Sequence, residues 1–197
     1  MKSPPRPMRI IAGSARGARL DVAAESATRP FLALARGALF NSLLGRLEGA
    51  RVLDLYAGSG ALGLEALSRG ARSAVFVERD RKAVAALRNN IARCGFATAA
   101  RIVAGDVLSV LERLDAVFDA VFIDPPFPDP AEWDENGDGA ILGRLLAPRL
   151  AEGGIAVLRI EGGRVSPPAW NGMAVVRDGV YGRSRVCLYE RKPGGGE

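Results

Sequence analysis

The chain has 197 residues, 48% of them hydrophobic, with 27 Lys and Arg against 22 Asp and Glu and a formal net charge of +5. This length suits one domain with a sizeable core, and the absence of histidine excludes Ser-His-Asp triads, histidine acid–base catalysis and most zinc sites. Cys94 and Cys187 lack metal-ligand spacing, and there is neither a signal-peptide core nor an apolar run of roughly 18 residues, so we expect reduced thiols in a cytoplasmic protein without membrane contact.

The charged residues are unevenly distributed along the chain. Residues 1–51 contain nine basic and three acidic residues, 52–163 contain twelve and sixteen, and 164–192 contain six and two. Basic ends around an acidic middle are the electrostatic footprint of a phosphate-backbone partner, although an ordinary solvated surface is the alternative. The arginines expected to contact such a backbone are Arg9, Arg16, Arg19, Arg29, Arg36 and Arg183.

In chain order, residues 9–13 and 16–20 predict a short basic hairpin, followed by a helix at about 33–45. Strands then alternate with helices, which predicts a parallel sheet covered by helices on both faces. The strands are predicted at about 51–55, 73–77, 101–104, 118–123 and 154–160, and the helices at about 60–69, 80–94, 107–114 and 139–150. Two final strands, at 174–177 and 186–190, flank a turn and predict a terminal antiparallel hairpin.

Residues 52–63, Val-Leu-Asp-Leu-Tyr-Ala-Gly-Ser-Gly-Ala-Leu-Gly, run from a strand through a glycine turn into a helix. Gly58, Gly60 and Gly63 satisfy the GxGxxG fingerprint and Glu78 lies 20 residues after Gly58, so an NAD-binding Rossmann domain is one interpretation. Asp54, which we expect at the strand end within the turn, would repel a pyrophosphate there. An acid at this place favours a cationic ligand, such as the ammonium and sulfonium of S-adenosylmethionine.

The candidate cofactor-binding residues follow the carboxyl ends of the first three strands, where α/β sheets bind ligands. Glu78 is expected to hold two ribose hydroxyls. Asp106 is expected to contact the adenine amino group, although a plain helix N-cap is the alternative for an aspartate in this position. The full set is Asp54, Tyr56, Ala57, Gly58, Ser59, Gly60, Glu78, Arg79, Asp106 and Val107.

The sequence Asp124-Pro125-Pro126-Phe127 closes the apolar strand at 118–123. Because proline has no N–H, this turn offers the Asp124 carboxylate and the Pro125 carbonyl as acceptors with little competing donor. Such a turn suits a planar group with an NH2, and Phe127 is free to stack on its ring. The alternative is a strand end stopped by prolines. We take all four residues as candidate catalytic residues, and we expect no metal because a sulfonium is already an activated leaving group.

These motifs together resemble the RsmD family of bacterial small-subunit ribosomal RNA methyltransferases. The resemblance rests on Arg-Ile-Ile-x-Gly at residue 9, Arg-Gly-x-Arg-Leu at residue 16, Arg29-Pro30, Leu-Phe-Asn at residue 39, the run 53–70 and the turn at Asp124. It spans nearly the whole chain, from Arg9 to Arg191. Asp-Pro-Pro-Phe alone is shared with many amino-group methyltransferases, whereas the 53–70 run is long and specific.

The resemblance implies methylation of the exocyclic N2 of a guanine in 16S rRNA by S-adenosylmethionine. The implied fold is α/β, a class I S-adenosylmethionine-dependent methyltransferase (Rossmann-like) with a mostly parallel seven-stranded sheet that ends in an antiparallel hairpin. Residues 1–48 would form a basic, RNA-facing N-terminal extension, 49–192 the methyltransferase domain and 193–197 a disordered tail. The implied partner is 16S rRNA or the small ribosomal subunit particle, and we expect a monomer.

One segment departs from the family pattern. The family usually has Thr-x-Asp-Arg-Val-Arg-Glu after Arg-Pro, whereas residues 31–37 here are Phe-Leu-Ala-Leu-Ala-Arg-Gly, which retain only the second arginine, Arg36. The missing Thr and acids would have capped the helix. We therefore expect this difference to affect how the chain closes over the cofactor and how tightly it binds its substrate.

Four other functions share some of these features. A DNA adenine or cytosine methyltransferase usually carries a target-recognition domain, for which 197 residues leave no room. A protein glutamine methyltransferase more typically has Asn before the prolines. An NAD oxidoreductase is disfavoured by Asp54 and by the lack of histidine, and a non-catalytic RNA-binding module would leave the acidic residues at the strand ends without a role.

Overall fold

The computed structural model describes residues 8–22, 33–126, 137–161, 167–182 and 184–193. No helix in these segments is both long and apolar enough to cross a membrane. The helices are α1 (Ala33–Ser42), α2 (Ala61–Ser68), α3 (Arg81–Cys94), α4 (Val107–Arg113) and α5 (Asp138–Leu146), with a 3-10 turn at Ala147–Arg149. The strands are β1 (Arg51–Leu55), β2 (Ser73–Glu78), β3 (Ala100–Ala104), β4 (Phe118–Ile123), β5 (Leu150–Glu161), β6 (Met173–Tyr181) and β7 (Ser184–Arg191).

The strands form one seven-stranded sheet in the order β3-β2-β1-β4-β5-β7-β6. The first five strands are parallel, and β7 is antiparallel to both β5 and β6. The predicted parallel sheet with a terminal antiparallel hairpin is therefore confirmed. The chain order changes direction between β1 and β4, which places the carboxyl ends of these two strands beside the crevice where such sheets bind ligands.

The element bounds differ from the predicted ones in places where backbone chemistry intervenes. The predicted helix 139–150 ends as an α-helix at Leu146, and Pro148 lies in the 3-10 turn that follows, because proline cannot continue the helical hydrogen bonds. Helix α1 ends at Ser42 rather than at 45, and Gly45 has a φ of 80°, which is outside the helical range. The hairpin strands β6 and β7 are longer than predicted.

Two apolar cores cover the two faces of the sheet, as the alternation of side chains along each strand requires. On β1, Val52 belongs to the core beneath α1, α2 and α3, whereas Leu53 and Leu55 belong to the core on the side of α4 and α5. Asp54 shares the face of Val52. The strand therefore directs one acidic side chain toward the core that contains α2.

The predicted N-terminal hairpin is present, with an antiparallel bridge between Arg9 and Arg19. It is packed onto the sheet domain, because Ile10 and Leu20 are buried in the same core as α2. The buried Glu65 carboxylate of α2 accepts hydrogen bonds from the backbone N–H groups of Ile11 (2.7 Å) and Ala12 (3.1 Å). This segment is therefore an integral part of the packed core and not a loose appendage.

Two glycines of the hairpin allow a stability test of this packing. Gly13 and Gly17 have φ angles of +83° and +87°, but a Cβ on Gly13 would lie 1.6 Å from the Ser68 carbonyl oxygen, whereas one on Gly17 would meet nothing within 4 Å. We expect Gly17→Ala to lower the free energy of unfolding by about 1–2 kcal/mol through backbone strain alone. Gly13→Ala should cost a further 1–3 kcal/mol or so through the clash. Urea unfolding of both variants is the measurement, and equal losses would contradict this view of the contact.

Candidate active site

Acidic residues meet where β1, β2 and β4 end. Leu55 of β1 is in register with Val77 of β2 and with Ile123 of β4, so the next residues, Glu78 and Asp124, lie on either side of the turn that leaves β1. The Asp124 backbone N–H donates to the Leu55 carbonyl at 3.4 Å. The fold thus brings Asp54, Glu78 and Asp124 to one edge of the sheet.

The glycine loop leaves β1 through left-handed backbone. Tyr56 has a φ of 57°, which is unusual for a residue with a side chain, and Gly58 and Gly60 have φ angles of 53° and 78°. Hydrogen bonds from Ala57 N–H to the Val77 carbonyl (3.0 Å) and from Gly60 N–H to the Ala57 carbonyl (2.7 Å) fix the loop. Strained backbone of this kind persists only where the surroundings hold it, which is typical of ligand-binding turns.

The three positions of the GxGxxG pattern differ in why they have glycine. A Cβ on Gly60 would lie 2.3 Å from Leu87, and one on Gly63 would lie 2.4 Å from Phe76. These two glycines are therefore required by packing between the loop, α2 and the sheet. A Cβ on Gly58 would come no closer than 4.0 Å to its nearest neighbour, the Tyr56 carbonyl oxygen. Only Gly58 leaves open space for a ligand to approach the backbone of the loop.

Asp54 lies within β1, one residue before its end, and not in the turn as expected from sequence. Its side chain is 1% exposed, and its Oδ2 accepts the backbone N–H of Gly63 at 2.9 Å. Gly63 is the third residue of α2, and the N-cap residue Gly60 provides no side-chain cap. Asp54 therefore caps α2 from the strand beneath it.

The pKa of Asp54 is raised well above its usual range, chiefly because burial penalises the charged form. The hydrogen bond from Gly63 lowers it, and the negative charges of Asp124 and Glu78 raise it further. The three carboxyl groups thus repel one another electrostatically. A cationic ligand at this edge would relieve that repulsion, whereas a pyrophosphate would add to it.

Glu78 connects the second strand to the glycine loop. Its Oε2 accepts the Gly58 N–H at 2.8 Å and its Oε1 accepts the Asp80 N–H at 2.8 Å. The side chain is partly exposed, so each carboxylate oxygen retains capacity for another donor. This arrangement holds the loop in place and leaves acceptors for hydroxyl groups of a ligand.

Asp106 is the N-cap of α4, as the alternative interpretation of its position predicted. Its Oδ1 accepts the backbone N–H groups of Leu108 (3.1 Å) and Ser109 (3.3 Å). Its Oδ2 lies 3.8 Å from a guanidinium nitrogen of Arg79, and both side chains are at least half exposed. Val107, the first residue of α4, is buried. The contact of Asp106 with an adenine amino group stays a prediction.

The Asp124 turn has a partner that sequence reasoning missed. Arg159 of β5 is 4% exposed, and its Nε donates to Asp124 Oδ1. The side chain of Asp124 is 19% exposed, and burial raises its pKa while the charge and hydrogen bond of Arg159 lower it. The available signal was a single arginine within the otherwise apolar run 155–160, because a charge in a buried strand needs a partner. Pro125 is buried and Pro126 is exposed, and Phe127 lies outside the described residues.

The candidate RNA-binding arginines fall into three groups. Arg9, Arg16 and Arg19 are exposed on the N-terminal hairpin, as the prediction requires. Arg36 is 2% exposed, and its side chain donates to the Arg9 carbonyl. The prediction of a phosphate contact by Arg36 is therefore corrected, because packing of α1 turns this side chain into the protein. The two others, Arg29 and Arg183, lie outside the described residues.

Asn90 of α3 is a second residue that the sequence analysis missed. It is fully buried, and its amide group bonds to both the N–H and the carbonyl of Asp21, at 2.8 and 2.9 Å. The same amide donates to the carbonyl of Ser59 at 2.9 Å. The candidate cofactor residue Ser59 is thus connected through one side chain to the end of the N-terminal hairpin.

Comparison with known proteins identifies the family of this chain. The family model described as "Conserved hypothetical protein 95" matches residues 8–190. The chain is 31% identical over 189 residues to "Putative rRNA methyltransferase YlbH" of Bacillus subtilis, which covers 94% of this chain and 100% of that protein. It is 42% identical over 120 residues to "Ribosomal RNA small subunit methyltransferase D" of Escherichia coli, which covers 61% of this chain and 60% of that protein.

Solved structures show the same fold. The structure of "Putative methyltransferase yhhF from Escherichia coli" matches with a TM-score of 0.80 and 34% identity over 95% of this chain and 99% of that one. "Putative methylase HI0767" from Haemophilus influenzae matches with a TM-score of 0.76 and 27% identity over 95% and 100%. The chain therefore belongs to the conserved hypothetical protein 95 family and has a methyltransferase fold, which confirms its resemblance to the RsmD methyltransferases.

Proposed function

We propose that this chain transfers a methyl group from S-adenosylmethionine to the exocyclic N2 amino group of a guanine in 16S ribosomal RNA. The observation that carries the proposal is the hydrogen bond from Asp124 N–H to the Leu55 carbonyl (3.4 Å), which places the acceptor turn beside the entrance to the glycine loop. A methyl donor on that loop and an amino group on that turn would be neighbours. Holding two reactants in such proximity supplies much of the barrier reduction in group transfer.

The residues at the edge of the sheet fit S-adenosylmethionine. Gly58 leaves room for close approach to the loop, and Glu78, which is partly exposed, retains acceptor capacity for the two ribose hydroxyls. Asp54 is the only charged residue in 54–63, so the loop has no basic side chain that would bind a pyrophosphate. When bound, the cofactor supplies an electrophilic methyl group on a positively charged sulfur.

The Asp124 turn would prepare the amino group for attack. The nitrogen lone pair of guanine N2 is delocalised into the ring, which makes it a poor nucleophile. If the Asp124 carboxylate and the Pro125 carbonyl each accept one N–H, the nitrogen becomes pyramidal and its lone pair points away from the ring. Hydrogen-bond acceptors aimed in advance at the developing positive charge stabilise the transition state. An aspartate, with a reference pKa of about 3.9, is too weak a base to remove the proton beforehand.

The N-terminal hairpin would provide contacts with the RNA backbone. Arg9, Arg16 and Arg19 are exposed on it, and the hairpin connects through Asn90 to Ser59 of the glycine loop. Guanidinium groups bind phosphates through paired N–H donors. The target guanine must be unpaired or leave its stack to reach the Asp124 turn. The substrate would be 16S rRNA or the small-subunit particle, in agreement with the name of the Escherichia coli relative, a ribosomal RNA small subunit methyltransferase.

The cofactor assignment predicts selective binding. Calorimetry should show micromolar affinity for S-adenosylmethionine and no heat with NAD, because Asp54 places an acidic side chain at the first turn of α2 and occupies the Gly63 N–H there. Glu78→Ala should weaken binding by about 1–3 kcal/mol, since it removes the acceptors for the ribose and frees the Gly58 N–H. Glu112→Gln, at an exposed position of α4, is the matched control and should bind normally. Binding of NAD in place of S-adenosylmethionine would reject the assignment.

If Asp124 acts as an acceptor, its substitution should lower the rate of methyl transfer without changing the affinity for S-adenosylmethionine. Asp124→Ala should cut the single-turnover rate by orders of magnitude and leave the affinity for S-adenosylmethionine within about twofold, since positioning contributes several kcal/mol to the barrier. Asp124→Asn keeps one acceptor oxygen and should be more active than Asp124→Ala. It also leaves Arg159 without its counter-charge, and we expect it to lose about 3 kcal/mol of folding stability. A wild-type rate that rises with a pKa near neutrality, together with a folded Asn variant as inactive as the Ala variant, would show that Asp124 is a general base.

The hairpin arginines predict a change in the salt dependence of RNA binding. The double variant Arg16→Gln/Arg19→Gln should lower the slope of log affinity against log salt concentration by about 1.4–1.8, because each lost phosphate contact removes roughly 0.7–0.9. The control is Arg101→Gln/Arg144→Gln, which removes the same charge from exposed positions on β3 and α5. Filter binding over a salt series measures both slopes. A control that changes the slope as much as the hairpin variant would argue against this binding surface.

A further inference from the structure

Arg159 is a buried cation at the edge of the site. It lies on β5, directly after Leu158, which is in register with Ile123 of β4. Its neighbours from Ile155 to Leu158 and Ile160 are buried apolar residues. Its Nε donates to Asp124 Oδ1, and its NH1 lies 3.4 Å from the Ser184 hydroxyl at the start of β7. The guanidinium thus joins the Asp124 turn to the terminal hairpin.

Stability alone does not explain this ion pair. Removing a guanidinium and a carboxylate from water costs several kcal/mol per ion, and well-packed hydrophobic residues are often as stabilising as a buried pair. Apolar side chains already fill the adjacent positions of β4 and β5. The pair instead orients one carboxylate: Arg159 occupies Oδ1, and within the described part of the chain no hydrogen bond to Oδ2 is present. That oxygen is the one left for an incoming N–H.

We propose that Arg159 is a positioning residue that holds Asp124 as an ionised acceptor with Oδ1 bound and Oδ2 directed to the substrate amino group. This inference rests on the proposed function, because it assigns the substrate-binding oxygen of the same turn. Arg159 acts through Asp124 and does not itself contact the reacting atoms.

The electrostatics of the turn support this role. The charged groups that act on Asp124 among the described residues are Arg159 on β5 and Asp54 on β1, and the Ser184 hydroxyl on β7 is neutral. Burial raises the pKa of Asp124, and the Arg159 charge and hydrogen bond lower it. Without Arg159 the carboxyl group would be protonated up to a higher pH. A protonated carboxyl carries an O–H donor where the amino group needs an acceptor.

The test compares Arg159→Met and Arg159→Lys with the control Arg51→Met. Arg51 forms a partly exposed ion pair with Asp119 between β1 and β4 at the opposite end of these strands, so its loss reports the effect of removing an arginine ion pair that is remote from the Asp124 turn. Single-turnover rates on 16S rRNA are measured against pH, together with the affinity for S-adenosylmethionine. We expect the acidic limb of the pH–rate profile of Arg159→Met to move to higher pH by about one unit or more. The rate would then be about tenfold lower than that of the wild type at acidic pH and would recover at alkaline pH. The Lys profile should lie between those of Met and wild type, and cofactor affinity should stay within about twofold.

A Met variant with the wild-type pH profile would overturn the inference, even if its rate were uniformly lower. A second readout does not depend on activity: the carboxyl carbon of Asp124 is followed by NMR in protein labelled with 13C-aspartate, and its signal is assigned with Asp124→Asn. An upward shift of its titration in Arg159→Lys supports the proposal, and an unchanged titration rejects it. If the wild-type protein methylates no RNA, the proposed function fails, whereas the titration still decides whether Arg159 keeps Asp124 ionised.

Discussion

The hydrogen bond from Gly63 N–H to the buried Asp54 carboxylate is the interaction on which the candidate site depends. It ties the first turn of α2 to β1, so the loop between them has to reverse within a few residues. That constraint accounts for the left-handed backbone of Tyr56, Gly58 and Gly60. It also occupies one of the helix N–H groups that would otherwise be available to an anion. The same glycine spacing can therefore serve a cationic cofactor because one acid lies beneath the helix.

The edge of the sheet concentrates acidic groups, and each is held by a different kind of partner. The Asp54 carboxyl group accepts one backbone N–H, that of Glu78 accepts two, and that of Asp124 accepts a hydrogen bond from the Arg159 guanidinium. Burial raises the pKa of both Asp54 and Asp124, but only Asp124 has a charged partner that opposes the effect. This difference suits separate roles. Asp54 is a structural cap of α2, whereas Asp124 has a cationic partner that favours its ionised form.

The sequence predicted features that depend on local pattern. The succession of strands and helices along the chain, the terminal hairpin, and the positions of Glu78 and Asp124 at strand ends follow from alternation, spacing and turn residues. Arg159, Asn90 and Arg36 were missed or misplaced because their roles depend on what packs against them. An arginine such as Arg36 reads as a surface residue in sequence, and only the docking of α1 buries it. Likewise, the pairing of Arg159 with Asp124 requires the register between β4 and β5.

Arg36 is the one residue that segment 31–37 shares with the family pattern. It is buried, and its side chain donates to the Arg9 carbonyl of the N-terminal hairpin. Its Nε and NH1 have no hydrogen-bond partner among the described residues, and burial lowers its pKa although the Glu65 carboxylate opposes this effect. Glu65 already accepts two N–H groups of the hairpin and the Arg69 guanidinium. One carboxylate therefore compensates two arginines while it anchors the hairpin. Because the hairpin also connects to Ser59 through Asn90, the arginine-bearing surface and the glycine loop belong to one packed unit.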